Sequence, residues 1–209
     1  MRNYFLLLLV FSVLACKQQS VELPKLSEKG TTDLYNTSQI WFFFEINGND
    51  TVVKVNSRNK ITNTHLIFNI DKKLKLKHII KPLQEIQEKI NANSVHKKEG
   101  MQQYFSYADT LNQEFSLYNF TGTNYRLDQD LQTSEENAMI ICGDQISYLG
   151  KTFEMDDLSK LCTELTGQEN EIRLTFCQNT FYNEYLHVLT TLKKCKIEAK
   201  KDQMVFSKE

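Results

Sequence analysis

The chain has 209 residues, 41% of them hydrophobic and 11% aromatic, with seven Gly and two Pro; 25 Lys+Arg face 26 Asp+Glu, for a formal charge of −1. Such a composition can bury a core and excludes a disordered stalk. The two signs of charge are interspersed without long like-charged blocks, which excludes nucleic acid and other polyanions as partners.

In chain order, Met1-Arg2-Asn3 gives a basic start, Tyr4 to Leu14 an apolar run, and Ala15-Cys16 a small residue before a cysteine. That order reads as a secretory signal. The run is too short for a mature transmembrane helix, which needs about 20 apolar residues. Val13-Leu14-Ala15-Cys16 resembles the lipobox of bacterial lipoproteins. The resemblance implies cleavage between Ala15 and Cys16 and a lipid on Cys16, so that the membrane is a partner through that lipid. An ordinary secretory signal or an uncleaved anchor is the alternative. Lys17 stands where enteric lipoproteins retained at the inner membrane carry Asp, which points to the periplasmic side of the outer membrane.

Removing residues 1–15 takes one charge, Arg2, and leaves 194 residues of formal charge −2, enough for one domain or two small ones. Residues 16–38, polar and carrying Pro24 and Gly30, read as a lipidated cysteine and flexible tether.

An N-terminal α+β region is expected over 39–137. Ile40 to Ile46 and Thr51 to Val55 flank Asn47-Gly48, a strong hairpin signal. Leu66 to Ile70 alternates as a third strand. Ile79, Ile80, Leu83, Ile86 and Ile90 predict a helix over Leu76 to Asn91, starting close to Pro82 or kinked there. Asn91 to Gly100 reads as a loop, Gln103 to Tyr107 and Glu114 to Phe120 as a second hairpin, and residues 121–137 as polar loop.

A C-terminal region over 138–209 is more regular. Ala138 to Cys142 and Ile146 to Leu149 form a hairpin; Phe153 to Asp157 introduces a helix with Leu158, Leu161, Cys162 and Leu165 on one stripe, ended by Gly167. Ile172, Leu174 and Phe176 alternate as a strand. Thr180 is placed to cap a helix with Tyr185, Leu186, Leu189 and Leu192 inside, and Met204 to Phe206 gives a last strand. Leu66-to-Ile70 followed by Ile80, Leu83 and Ile86 matches Ile172-to-Phe176 followed by Leu186, Leu189 and Leu192 at an offset of 106, the signature of an internal repeat. The expected fold class is α+β, with antiparallel or mixed sheets, helices on one face and two tandem small modules.

The strand-turn-strand Met139 to Gly150, the helix Met155 to Leu161, the strand Ile172 to Phe176 and the helix Tyr182 to Leu189 resemble the periplasmic domain of the ExbD/TolR family. The resemblance implies a fold that dimerises or docks on envelope components. That family uses an acidic residue in a transmembrane helix for proton passage; the apolar run here has none, so proton conduction is not expected.

Chemical signatures are missing. His65, His78, His96 and His187 are scattered, there is no G-x-S-x-G or phosphate-cradling loop, and no spacing suggests a metal. Asp156 and Asp157 suit a helix N-terminus better than acid catalysis. Cys142, Cys162, Cys177 and Cys195 allow two bridges in three connectivities or remain buried thiols. In a strand Trp41 and Phe43 share the face opposite Phe42 and Phe44; either both faces are core, or one pair is exposed and Trp41 and Phe43 are the candidate interaction surface. The expectation is a lipid-anchored, non-enzymatic envelope module without cofactor, whose partner is an envelope protein or a second copy of the chain. The alternative is a periplasmic small-ligand carrier or an enzyme with an unrecognised site.

Overall fold

A computed structural model describes residues 19–58, 63–92, 100–128, 138–165 and 171–206. The fold is α+β, with two mixed sheets and the helices packed on their inner faces. The first sheet contains β1 (Lys25–Leu26), β2 (Thr37–Asn47), β3 (Asp50–Asn56), β4 (His65–Ile70), β5 (Gln103–Asp109) and β6 (Glu114–Asn119). It runs β6-β5-β4-β2-β3; β2, β4 and β5 are parallel, and the two hairpins close the ends. β1 pairs Ala108 and Asp109 of β5, while β4 pairs residues 103–105, so both lie along the β5 edge that β6 leaves open.

The second sheet contains β7 (Asn124–Asp128), β8 (Ala138–Cys142), β9 (Gln145–Tyr148), β10 (Lys151–Glu154), β11 (Arg173–Cys177) and β12 (Asp202–Phe206), in the order β10-β9-β8-β11-β12-β7. β8, β11, β12 and β7 are parallel. Helix α1 (Leu76–Ala92) joins β4 to β5, α2 (Leu158–Leu165) follows the 3-10 turn Met155–Asp157, and α3 (Tyr182–Lys194) joins β11 to β12.

Several expectations are corrected. α1 begins at Leu76 and continues through Pro82, whose missing N–H leaves the His78 carbonyl without its usual donor. Burial of Leu76, Ile79, Ile80, Leu83 and Ile86 against the sheet outweighs that loss. Residues 124–128 are not loop but an edge strand, held by full parallel pairing with β12. Lys151 to Glu154 forms a third strand antiparallel to β9 before the helix. Gly167 lies outside the described residues.

Residues 19–38 are not a loose tether. Pro24 and Leu26 carbonyls accept from the N–H groups of Ala108 and Thr110, and Leu26 is buried in the core. The Tyr107 hydroxyl donates to the Glu28 carbonyl at 2.9 Å, and Thr31 exchanges backbone hydrogen bonds with Leu117. At Gly30 a Cβ would stand 2.5 Å from Tyr107 Oη and 2.6 Å from the Leu117 carbonyl, so only glycine fits this approach.

The offset of 106 reappears in the backbone. α1 starts at Leu76 and α3 at Tyr182, and the preceding turns match: Leu74 N–H donates to the Asp71 carbonyl at 3.1 Å, and Thr180 N–H to the Cys177 carbonyl at 3.0 Å. Lys75 and Phe181, the residues before each helix, form an antiparallel bridge. Such a bridge is two-fold symmetric, so the local axis passes between two residues related by the repeat. Leu76 N–H donates to the Thr180 carbonyl at 3.0 Å, and Tyr182 N–H to the Leu74 carbonyl at 2.8 Å. Each helix therefore has an otherwise orphaned first N–H satisfied by the other half.

Thr180 accordingly is not the N-cap of α3. Its hydroxyl donates to the Ile141 carbonyl at 3.3 Å and accepts from Gly143 N–H at 3.4 Å, and the Glu184 carboxylate accepts from the N–H of the N-cap Phe181 at 2.9 Å. One hydrophobic core runs through both halves. Phe105 of the first sheet stacks on Phe120 at 3.7 Å and meets Tyr182 and Tyr185 of α3 edge-on at 5.7 and 6.0 Å.

Candidate interaction surface

β2 is paired on both sides only where it needs to be. Residues 37–42 pair with β4, whereas 43–47 pair with β3 alone, so the end of the β2–β3 hairpin runs past β4 as a two-stranded arm. Gly48 at the turn has φ 63°, the left-handed conformation that an Asn-Gly hairpin turn uses. On the inner face Phe42 is fully buried and Phe44 and Val53 pack against the core. On the outer face Trp41 and Phe43 are half-buried, their rings stacked at 6.3 Å with 13° between planes. Lys54, opposite Phe43, pairs with Glu45 at 3.7 Å. Beyond them Ile46 and Val52 are 70% and 40% exposed.

The rest of this outer face is covered. Asn69 donates to Gln39 Oε1 at 2.6 Å and accepts from the Ser106 hydroxyl at 2.8 Å, so a buried polar row crosses three strands with its hydrogen bonds made. Ile67, Tyr104 and Leu117 form a small apolar cluster under Leu34. Trp41 and Phe43 lie where that covering stops.

The N-terminal chain approaches the same arm. Glu22 N–H donates to Asp71 Oδ2 at 3.0 Å, Lys72 N–H donates to the Glu22 carbonyl at 2.8 Å, and Asp71 N–H donates to the Phe42 carbonyl. The Glu22 carboxylate pairs with Lys72 at 2.5 Å and Lys73 at 3.0 Å; hydrogen bonds from these two ammonium groups, Lys72 foremost, hold its pKa down at about 2. The Gln19 side-chain amide donates to the Glu45 carboxylate. Ala15 and Cys16 lie outside the described residues.

The four C-terminal cysteines split. Cys142 and Cys177 are directly opposite on β8 and β11 with Cα atoms 4.8 Å apart, and they form a disulfide. Cys162 on α2 and Cys195 after α3 keep their thiols. Cys162 Sγ lies 3.9 Å from the Thr191 carbonyl, which also accepts from Cys195 N–H. Burial first, and then the neighbouring Cys195, push the Cys162 thiol up to about 12, so it is a poor nucleophile.

Two features escaped the sequence reading. Tyr125, Tyr182 and Tyr185 are buried together: Tyr125 and Tyr185 hydroxyls lie 2.9 Å apart, and Tyr185 donates to Gln203 Oε1 at 3.0 Å. Burial raises all three phenols, so they stay neutral and structural. A groove of about 460 Å³ lies at the junction of the halves, where Tyr118, Lys193, Lys196, Lys200 and Lys201 share the lining with the acidic Glu171 and Glu198. Lys193 sits 5.4 Å from the Tyr118 ring centre. The run of lysines is visible in the sequence, but the Tyr118 side of the groove comes from a strand some 75 residues earlier.

Asp156 and Asp157 lie in the 3-10 turn before α2, where Asp157 pairs with Lys160. Among the described residues no group of His, Cys, Asp and Glu could hold a metal, and no helix is long and apolar enough to cross a membrane. No known protein family, curated protein or solved structure matches this chain.

Proposed function

We propose that this protein is a lipid-anchored, non-enzymatic module of the bacterial envelope, tethered through Cys16 and presenting the outer face of the β2–β3 arm to an envelope protein. The observation that carries the reading is the stacked, half-buried Trp41–Phe43 pair at the margin of an otherwise covered sheet face. An aromatic pair of this kind offers large contact area at little conformational cost. The lipobox-like Val13 to Cys16 supplies the address, and the strand and helix order over 138–206 supports an ExbD/TolR-like docking module.

Intact mass and membrane fractionation beside Cys16→Ser test the anchor: loss of residues 1–15, added lipid mass and sedimentation with membranes are expected for the wild type alone. Cross-linking and affinity capture from those membranes, beside Trp41→Ala with Phe43→Ala, test the surface. A partner that survives the double substitution rejects it, and a cross-linked band at twice the chain's mass identifies a second copy.

A second reading is favoured by the junction groove. Four lysines against two glutamates, Glu171 and Glu198, leave this groove of about 460 Å³ with an excess of positive charge, which beside the Tyr118 ring suits a small anionic ligand. Native mass spectrometry of the purified protein would show a retained anion, lost in Lys193→Ala, if carriage is the function.

A further inference from the structure

We infer that the tip of the β2–β3 arm rests on the lipid surface itself, so that the anchored domain stands on the membrane with a fixed orientation. The inference depends on the lipid at Cys16. Its further content is where the described chain heads. From Glu22, whose backbone lies at the level of Phe42 and Asp71, the chain heads back toward Gln19, whose side chain reaches Glu45, three residues further along β2. Cys16 is three residues further on. That length spans at most about 11 Å, enough to reach the level of Gly48 and too little to carry the domain away from the bilayer.

The tip suits this position. Ile46 and Val52 are its exposed apolar side chains, and they lie on opposite faces of the ribbon. A ribbon lying flat would bury one of them, whereas a ribbon entering tip-first buries both. Asn47, Gly48, Asn49 and Asp50 are polar, which limits the contact to the headgroup layer and the acyl chains just beneath it. The Glu45 carboxylate meets the interface partly neutralised by Lys54. Trp41 and Phe43 lie several residues up the strand, outside the lipid and available to a protein partner.

The test uses the full chain, processed in bacteria, purified and reconstituted into phosphatidylcholine vesicles with brominated acyl chains. Trp41 is the only tryptophan, so Trp41→Phe gives a silent background. In that background Ile46→Trp is compared with Leu149→Trp, placed at the exposed turn after β9, where Leu149 is 59% exposed. The tip tryptophan should lose several-fold more fluorescence to the brominated chains than the Leu149→Trp control. Ile46→Asp should abolish cross-linking of the tip region to photoactivatable lipid while leaving lipid mass on Cys16 unchanged. If mass spectrometry finds no lipid on Cys16, the anchor and this inference fall together. If Cys16 is lipidated and the two introduced tryptophans are quenched equally, the anchor stands and the resting tip is rejected. A tip shielded from acrylamide in native membranes but untouched by brominated lipid would assign it to a protein instead and would also overturn the inference.

Discussion

The two halves of the molecule share a strand–turn–helix unit at one offset and diverge at their hairpins. In the first half β2 and β3 run on past β4 as an arm with Trp41, Phe43, Ile46 and Val52 at or near the surface. In the second, β8 turns at Gly143, Cys142 is bonded to Cys177 on the adjacent strand, and β10 extends the sheet sideways. The shared parts bury the core and interlock the helix N-termini, so their geometry is tightly constrained. The second hairpin still buries Met139, Ile141, Ile146 and Tyr148 in the core, whereas the end of the arm beyond Phe44 and Val53 carries little of that load and leaves Ile46 and Val52 exposed.

The strongest challenge to this comparison is whether the halves fold separately. Phe105→Ala removes the ring that joins the first sheet to α3 and should cost about 3–5 kcal/mol. A single denaturant transition seen by probes in both halves is expected; a first half that melts while the second survives would make them independent domains. Next in size is the disulfide. Converting Cys142 and Cys177 to Ser opens a link between positions 35 residues apart and should cost about 2–4 kcal/mol. Hydrogen exchange should accelerate in the most protected amides of both sheets, and a loss confined to β8–β12 would again divide the molecule.

Two smaller effects are confined to single side chains. Tyr182 sits at the start of α3 with its hydroxyl buried and without a hydrogen-bond partner among the described residues, where the equivalent first residue of α1 is Leu76. Tyr182→Phe should therefore be neutral or raise stability by about 1 kcal/mol in a melt. The smallest is local and depends on pH. The Glu22 carboxylate titrates at about 2 in the folded protein, below its ordinary 4.5, so its hold on Lys72 and Lys73 is complete above that ordinary value. It weakens as pH falls from about 4.5 through about 2. The protection factor of Lys72 N–H, its exchange rate corrected for the intrinsic pH dependence, should fall across that window while those of the buried strand β11 stay unchanged.

Much of the fold was legible in the residues. Asn47-Gly48 between β-rich runs marked the arm, and the stripe Ile79, Ile80, Leu83 and Ile86 marked α1 despite Pro82, because side-chain periodicity is a local property. β7 was not legible: Asn-Tyr-Arg-Leu-Asp has no strong pattern, and it is a strand only because β12 offers an open parallel edge. Residues 19–38 misled for the same reason, since a polar segment with Pro and Gly looks loose until the backbone of β5 and β6 receives it. Of the candidate surface, Trp41 and Phe43 could be nominated from alternation alone. Their stacking, and the end of the covering face beside them, required neighbours from distant strands.

The two principal hairpins, the amphipathic helices and the offset of 106 could be read from residues alone, because each shows as a pattern of residues close together in the chain. The tertiary structure decided which cysteines bond, what satisfies the first N–H of α1 and of α3, and how far the arm outruns its sheet. Those outcomes rest on pairings between residues 28 to 108 positions apart, from Thr37 with His65 to Leu74 with Tyr182. Whether such pairs meet depends on strand order and on the competing burial of other segments, and no local pattern of side chains encodes either.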